Sequence, residues 1–222
     1  MKVTITNSDY KLYSYKMTDD TGFAPNPFHG FLTLANCKPQ LRKTIGIHNK
    51  INTWIAGFSS ETLNHDLVGE ERLVYLMKVT DIIKYETYWK DSRYKSKIPD
   101  LKSKLRQDKA GDNIYKPLVS NAYYQNEFEQ IENKNHDKSN KEKDLKGQFV
   151  LISKEFYYFG SPPIKISSKY RPKVPIGPTP YGCLTEDASD FISFIRNNYN
   201  RGIISYPHKW KSRSIYHKSS CN

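Results

Sequence analysis

The chain has 222 residues, of which 37% are hydrophobic and 14% aromatic, and its 35 Lys and Arg outnumber 23 Asp and Glu for a formal charge of +12. Such a length supports a packed core without covalent staples, and this much aromatic surface excludes global disorder. Three scattered cysteines with no Cys-x-x-Cys spacing exclude a disulfide framework and a compact zinc site, and the positive charge points to a polyanionic partner.

Near the start, Val3, Ile5, Leu12, Tyr13 and Tyr15 sit among polar residues, which predicts short half-buried strands. Residues 21–30, TGFAPNPFHG, carry two prolines and two glycines and must form a shaped loop. Phe31–Ala35 and Trp54–Phe58 read as strands. Leu73–Val79 is apolar on both faces and should be central. Residues 81–89 mix periods, with a short helix expected to carry Tyr88 and Trp89. The basic stretch 90–109 reads as exposed. Residues 132–146, ENKNHDKSNKEKDLK, hold one apolar residue and are expected to be a flexible insert. Phe149–Ser153 restarts a strand, 156–160 add an aromatic block, and 161–182 form a proline-rich coil. Phe191, Phe194 and Ile195 give a helix with one apolar face, capped by Thr185 or Asp187.

Strands come in runs rather than alternating with helices. The expected architecture is therefore α+β, a small bent β-barrel with a few peripheral helices, and not a doubly wound sheet. We read one domain over 1–222, with the insert at 132–146 and a C-terminal helix and basic tail over 185–222. There is no signal-peptide pattern and no long apolar run, so a soluble, cytoplasmic protein without membrane contact is expected.

The glycine-rich phosphate loops, HExxH and GxSxG are all absent, and no histidines pair at i, i+4. Neither a metal nor a cofactor is expected. The stiff first loop holds Asp20, Asn26, Phe28 and His29, which suits binding, although Phe23 and Phe28 could equally plug the core. Lys38 and Arg42 leave a strand end where phosphate contacts are common. Tyr88 and Trp89 followed by Arg93 mix stacking surface with positive charge. Asn113 lies in a turn able to meet a base edge. Cys37 reads as a core filler rather than a nucleophile, because His29 lies across a strand from it.

Several blocks carry a resemblance: Lys16–Pro27, Leu32–Pro39, Trp54–Gly57, Leu73–Val79, Tyr88-Trp89 with Asp91 and Arg93, Gly111–Tyr115, and Val150–Ser153 with Tyr157–Gly160. In this order they resemble the nucleotide-modification-associated domain family, type two. The resemblance implies a prokaryotic or phage protein linked to DNA base modification. The strand order around Trp54 also looks like PUA, ASCH and EVE domains, bent barrels that hold a nucleobase. Where many relatives would carry Gly-Asp before the Trp, this chain has Asn52-Thr53.

The expected function is binding of a nucleotide or modified nucleobase, free or in nucleic acid, in an aromatic pocket. Phe28, His29, Trp54, Tyr88 and Trp89 would stack, Asp20, Asn26 and Asn113 would meet base edges, and Lys38, Arg42 and Arg93 would meet phosphate. The alternative is an enzyme acting on a nucleotide or DNA base, with Asp20, His29 or Cys37 as acid, base or nucleophile. Any binding to nucleic acid should be salt-sensitive, through residues 90–109 and the tail cations Arg201, Lys209, Lys211, Arg213 and Lys218.

Overall fold

The computed structural model of the protein describes residues 10–210. The expected strand at Val3 and Ile5, and the cations Lys211, Arg213 and Lys218, lie outside these residues.

The largest sheet is six-stranded. It contains β1 (Leu12–Met17), β3 (Trp54–Ser59), β4 (Leu73–Lys78), β9 (Glu155–Tyr158), β10 (Cys183–Thr185) and β11 (Gly202–Ile203), in the order β10-β1-β3-β4-β9-β11. The β1/β3 and β9/β11 pairs are parallel and the others antiparallel. A three-stranded sheet has β2 (Leu32–Leu34), β8 (Phe149–Ser153) and β5 (Asp81–Lys84), with β8 central, and β6 (Tyr115–Pro117) pairs β7 (Phe128–Gln130). β4 runs into β5, and β8 into β9, through one or two residues. Each pair is thus one strand bent from one sheet into the other, pinned where Thr80 N–H meets Ile152 O at 2.8 Å. The strong bend was expected. Among the described residues the sheets do not close into a barrel, and the fold is a mixed α/β arrangement of sheets and several helices.

Side-chain alternation explains the layering. Trp54, Ala56 and Phe58 of β3 face Phe191, Ile192 and Ile195 of α6 (Ser189–Asn198). Ile55 faces the opposite way, into a core with Tyr15, Tyr75 and Met77 and with Leu41 and Ile45 of α1 (Pro39–Ile47). β8 divides the next two layers. Leu151 joins that core, while Val150 and Ile152 face Tyr85 and Tyr88 of α3 (Tyr85–Lys90). β4 is buried on both faces, as its composition predicted.

Two stretches differ from expectation. Within 90–109, Tyr94 and Lys97 are fully buried. Within 132–146, Asn133, Asp144 and Leu145 are buried, the last two on α5 (Lys141–Leu145), which packs against α1. Composition misses this because the buried polar groups are matched to partners distant in sequence. Among the described residues no helix is long and apolar enough to cross a membrane.

Candidate functional site

A cavity of about 580 Å³ opens where β1, the first loop and the 37–38 turn meet residues 60–68, 135–136 and 176–178. Its walls include Tyr15, Phe23, Cys37, Lys38, His136 and Ile176. Lys38 places its ammonium 4.5 Å from the centre of the Tyr15 ring. The second lysine in the wall, Lys16, is engaged by Glu71 at 2.6 Å and Ile176 O at 2.9 Å. Among the described residues Lys38 is therefore the lysine of the wall with capacity to spare, its one hydrogen bond there being a 3.5 Å contact to Thr179 O. Burial lowers its pKa.

The turn that presents Lys38 is strained. Cys37 and Lys38 both have left-handed backbone, at φ 60° and 43°, without being glycine. Two buried side chains hold it. Asp144 Oδ1 accepts Cys37 N–H at 2.8 Å, and Arg42 Nε donates to Cys37 O at 2.7 Å. Pro39 then opens α1 at a position where no N–H is needed.

Asp144 also accepts from His136 Nε2 at 2.7 Å and from the Tyr115 hydroxyl at 3.1 Å, both on Oδ2. Burial pushes its carboxyl up, but the His136 hydrogen bond and the Arg42 charge outweigh that and leave its pKa lowered. Asp144 thus orients the His136 ring through Nε2. Nδ1 has no hydrogen-bond partner among the described residues, and the ring stacks on Phe23 with centroids 5.0 Å apart. The Cys37 residue is exposed by area, yet its thiol is crowded, and burial together with Asp144 raises its pKa to about 11 against the opposing pull of Arg42, Lys143 and Lys38.

Behind the cavity lies a buried hydroxyl network. The Tyr15 and Tyr75 hydroxyls are 2.7 Å apart. Tyr158 donates to Asp20 Oδ1, and His208 N–H donates to Asp20 Oδ2 at 3.1 Å. Burial raises the pKa of all three tyrosines and keeps them protonated.

Of the residues expected to bind ligand, Lys38 lines this cavity and Asp20 lies behind it. The expected pocket of the first loop against Trp54, Tyr88 and Trp89 is not assembled, because Trp54 packs under α6 and Tyr88 in a separate core. Asn26 is fully buried and spends its side chain on Lys97, Ala110 O and Phe28 N–H. Phe28 stacks on Trp210, with centroids 4.9 Å apart. His29 sits with Nε2 3.5 Å from Asp108, and burial and the Lys97 charge lower its pKa. Arg42 is fully buried and donates to Cys37 O, Tyr85 Oη, Phe149 O and Asp144 O, so it has nothing left for phosphate. Tyr88 donates to Asp112 at 2.7 Å, and Asn113 to Tyr88 O at 2.9 Å. Trp89 is half-buried beneath Lys95, and Arg93 is exposed and paired with Asp91 at 2.6 Å.

The sequence reading missed Tyr15, Phe23, His136 and Asp144 as site residues. Tyr15 and Phe23 sit in segments read as strand and loop. His136 and Asp144 are the non-basic punctuation of a lysine-rich run, and nothing local marks them as a pair.

A family model described as nucleotide modification associated domain 2 matches residues 9–214. The chain belongs to this family. No curated protein and no solved structure matches it. The domain's description ties it to nucleotide modification, and a nucleotide or nucleic acid partner fits it.

Proposed function

We propose that this nucleotide modification associated domain binds a nucleotide or modified nucleobase in the cavity walled by Tyr15 and Lys38. The observation that carries the reading is the cavity itself. It is a concave space within the ~300–1,000 Å³ range of small-molecule sites, largely apolar, with an ammonium poised over an aromatic face. A base would slide along the Tyr15 and Ile176 walls. Lys38 would meet phosphate or a carbonyl, and the exposed Glu61 at the rim would accept from an exocyclic amine or sugar hydroxyl.

The direct experiment is mass spectrometry of small molecules retained through native purification, backed by calorimetric titration with a nucleotide panel. Lys38→Ala should weaken binding at least tenfold while leaving the melting temperature nearly unchanged. Equal affinity in wild type and Lys38→Ala, or no binding by any nucleotide, would refute this assignment.

A second reading is catalytic and rests on one geometric fact. His136 Nε2 sits 2.7 Å from Asp144 Oδ2, and the ring lines the cavity with Nδ1 making no hydrogen bond among the described residues. That is the arrangement of an oriented general base. If the domain turns over a bound nucleotide, His136→Gln should abolish turnover with little change in nucleotide affinity. Unchanged turnover in that variant would remove the catalytic reading.

A further inference from the structure

The cavity is not isolated. A second depression shares Cys37, Lys38, His136 and Pro178 with it and continues over Gln40 and Lys143. Gln40 is on α1 and Lys143 on α5, two helices that pack together. One turn further along each lie Lys43 and Lys146, which border a third depression with Tyr123 and Tyr124. Lys43, Lys84 and Lys143 are exposed and make no ion pair among the described residues, and Lys146 has one exposed pairing, with Glu142 at 3.1 Å.

The far end of this path is an aromatic platform. Tyr124 is 66% and Tyr123 49% exposed, which is unusual for side chains of this size. They are held rather than loose. The Glu127 carboxylate accepts both backbone N–H groups, at 2.7 and 2.8 Å. Gln148 donates to the Tyr123 hydroxyl at 2.8 Å, and the Lys84 ammonium lies 5.3 Å from the Tyr123 ring centre. The two rings meet edge to face, with centroids 5.3 Å apart. Glu127, Glu142 and the buried Asp144 are the acids among these groups, and each is already engaged. In the basic stretch 90–109, four of the eight cations, Lys90, Arg93, Lys95 and Lys97, are spent on internal partners.

We infer that the path from Lys38 over Lys143 and Lys43 to Tyr123 and Tyr124 binds a single-stranded nucleic acid. The lysines meet successive phosphates, the tyrosines stack an unpaired base, and one nucleotide of the strand enters the cavity. The last clause rests on the nucleotide-binding reading of the cavity; the surface path does not. Exposed aromatic rings interleaved with unpaired cations are what a strand with free base faces needs, whereas a duplex hides those faces.

The test is fluorescence anisotropy of full-length protein with labelled oligothymidylate and oligouridylate of about 12 nucleotides, and with a matched duplex. Tyr124→Ala and the double variant Lys43→Ala/Lys143→Ala should each weaken single-strand binding tenfold or more. The double variant should also flatten the log–log salt dependence by about 1.4, or about 0.7 for each lost phosphate contact. Both should retain mononucleotide binding within about threefold, because none of the three residues lines the cavity. Single-strand affinity unchanged in both variants, or a duplex bound as tightly as the single strand, would overturn the inference. Loss of oligonucleotide binding in the variants, with no mononucleotide bound by any form, would uphold the path and reject the cavity reading. The DNA and RNA probes distinguish the two chemical sources of the strand.

Discussion

Lys97 gives the sharpest test of how the first loop is held. Its ammonium is fully buried and donates to Asn26 O at 3.0 Å, Asn26 Oδ1 at 2.7 Å and Phe31 O at 2.7 Å. Lys97→Met keeps the apolar stem and removes all three donated bonds. Phe31 O is left unmatched at a cost of about 1–3 kcal/mol, whereas Asn26 O and Oδ1 keep the Thr33 and Phe28 N–H donors, and the loss is partly offset because the ammonium no longer has to be desolvated. A net loss of about 2 kcal/mol follows, which for a chain of this size lowers the melting temperature by roughly 4–8 °C. The effect should depend on pH. Burial pushes the Lys97 pKa down from 10.5 to about 7, against the pull of the Asp112 charge. Between these values the unfolded chain holds a proton that the folded protein has released, so the wild type gains stability as pH rises through that window. From pH 7 to pH 9 the gain over Lys97→Met should be about 2 kcal/mol. Urea denaturation followed by tryptophan fluorescence at both pH values measures both quantities. A variant within 1 kcal/mol of wild type (on the order of the lower bound for a single lost bond), or a difference that stays flat across the window, would refute the reasoning.

Arg42→Lys cannot reach the four acceptors that the guanidinium serves, and should cost about 2–4 kcal/mol in denaturant unfolding. A variant of full stability with weakened ligand binding would instead restore Arg42 as a phosphate contact. Gly147→Ala would bring a Cβ within 2.4 Å of Arg42 Nη1 and should cost about 1–3 kcal/mol by the same assay. Cys37→Ser should leave ligand binding, and any turnover, within a few-fold of wild type. With Cys183 and Cys221 replaced by Ser, a Cys37 thiol held near pKa 11 should react with iodoacetamide roughly 100-fold more slowly at pH 8 than an unperturbed thiol. Alkylation at the ordinary rate would count against it.

The elements that sequence reading recovered are those whose burial is written in local period. β4 is apolar on both faces, β3 alternates between two cores, and α6 carries its stripe at i, i+3 and i+4. The polar residues of the first loop were noticed because they stand in a stiff segment, but their direction was misjudged. Asn26 turns inward because its mate, Lys97, lies 71 residues away, and no local signal conveys so distant a pairing. The same holds for Arg42 and Asn113, whose types suit ligands and whose partners are backbone carbonyls. In the lysine-rich run at 132–146, composition suggested a flexible insert and concealed that Asp144 reaches the interior.

Asp144 also explains why the site stands where it does. Two consecutive non-glycine residues in left-handed backbone cost about 1–3 kcal/mol each, so the Cys37-Lys38 turn persists only if its surroundings over-determine it. The carboxylate of Asp144 takes the Cys37 N–H, Arg42 takes the Cys37 carbonyl, and Pro39 begins a helix that needs no donor there. The strain has a geometric consequence: it directs Lys38 over Tyr15 while the next residue starts down α1 toward Lys43. The cavity and the path leading from it are thus set by one turn. That turn is held by a carboxylate that also orients His136, so ligand capture, strand path and any proton transfer share a single structural support. Loss of Asp144 should therefore disturb all three together, whereas loss of His136 or Tyr124 should separate them.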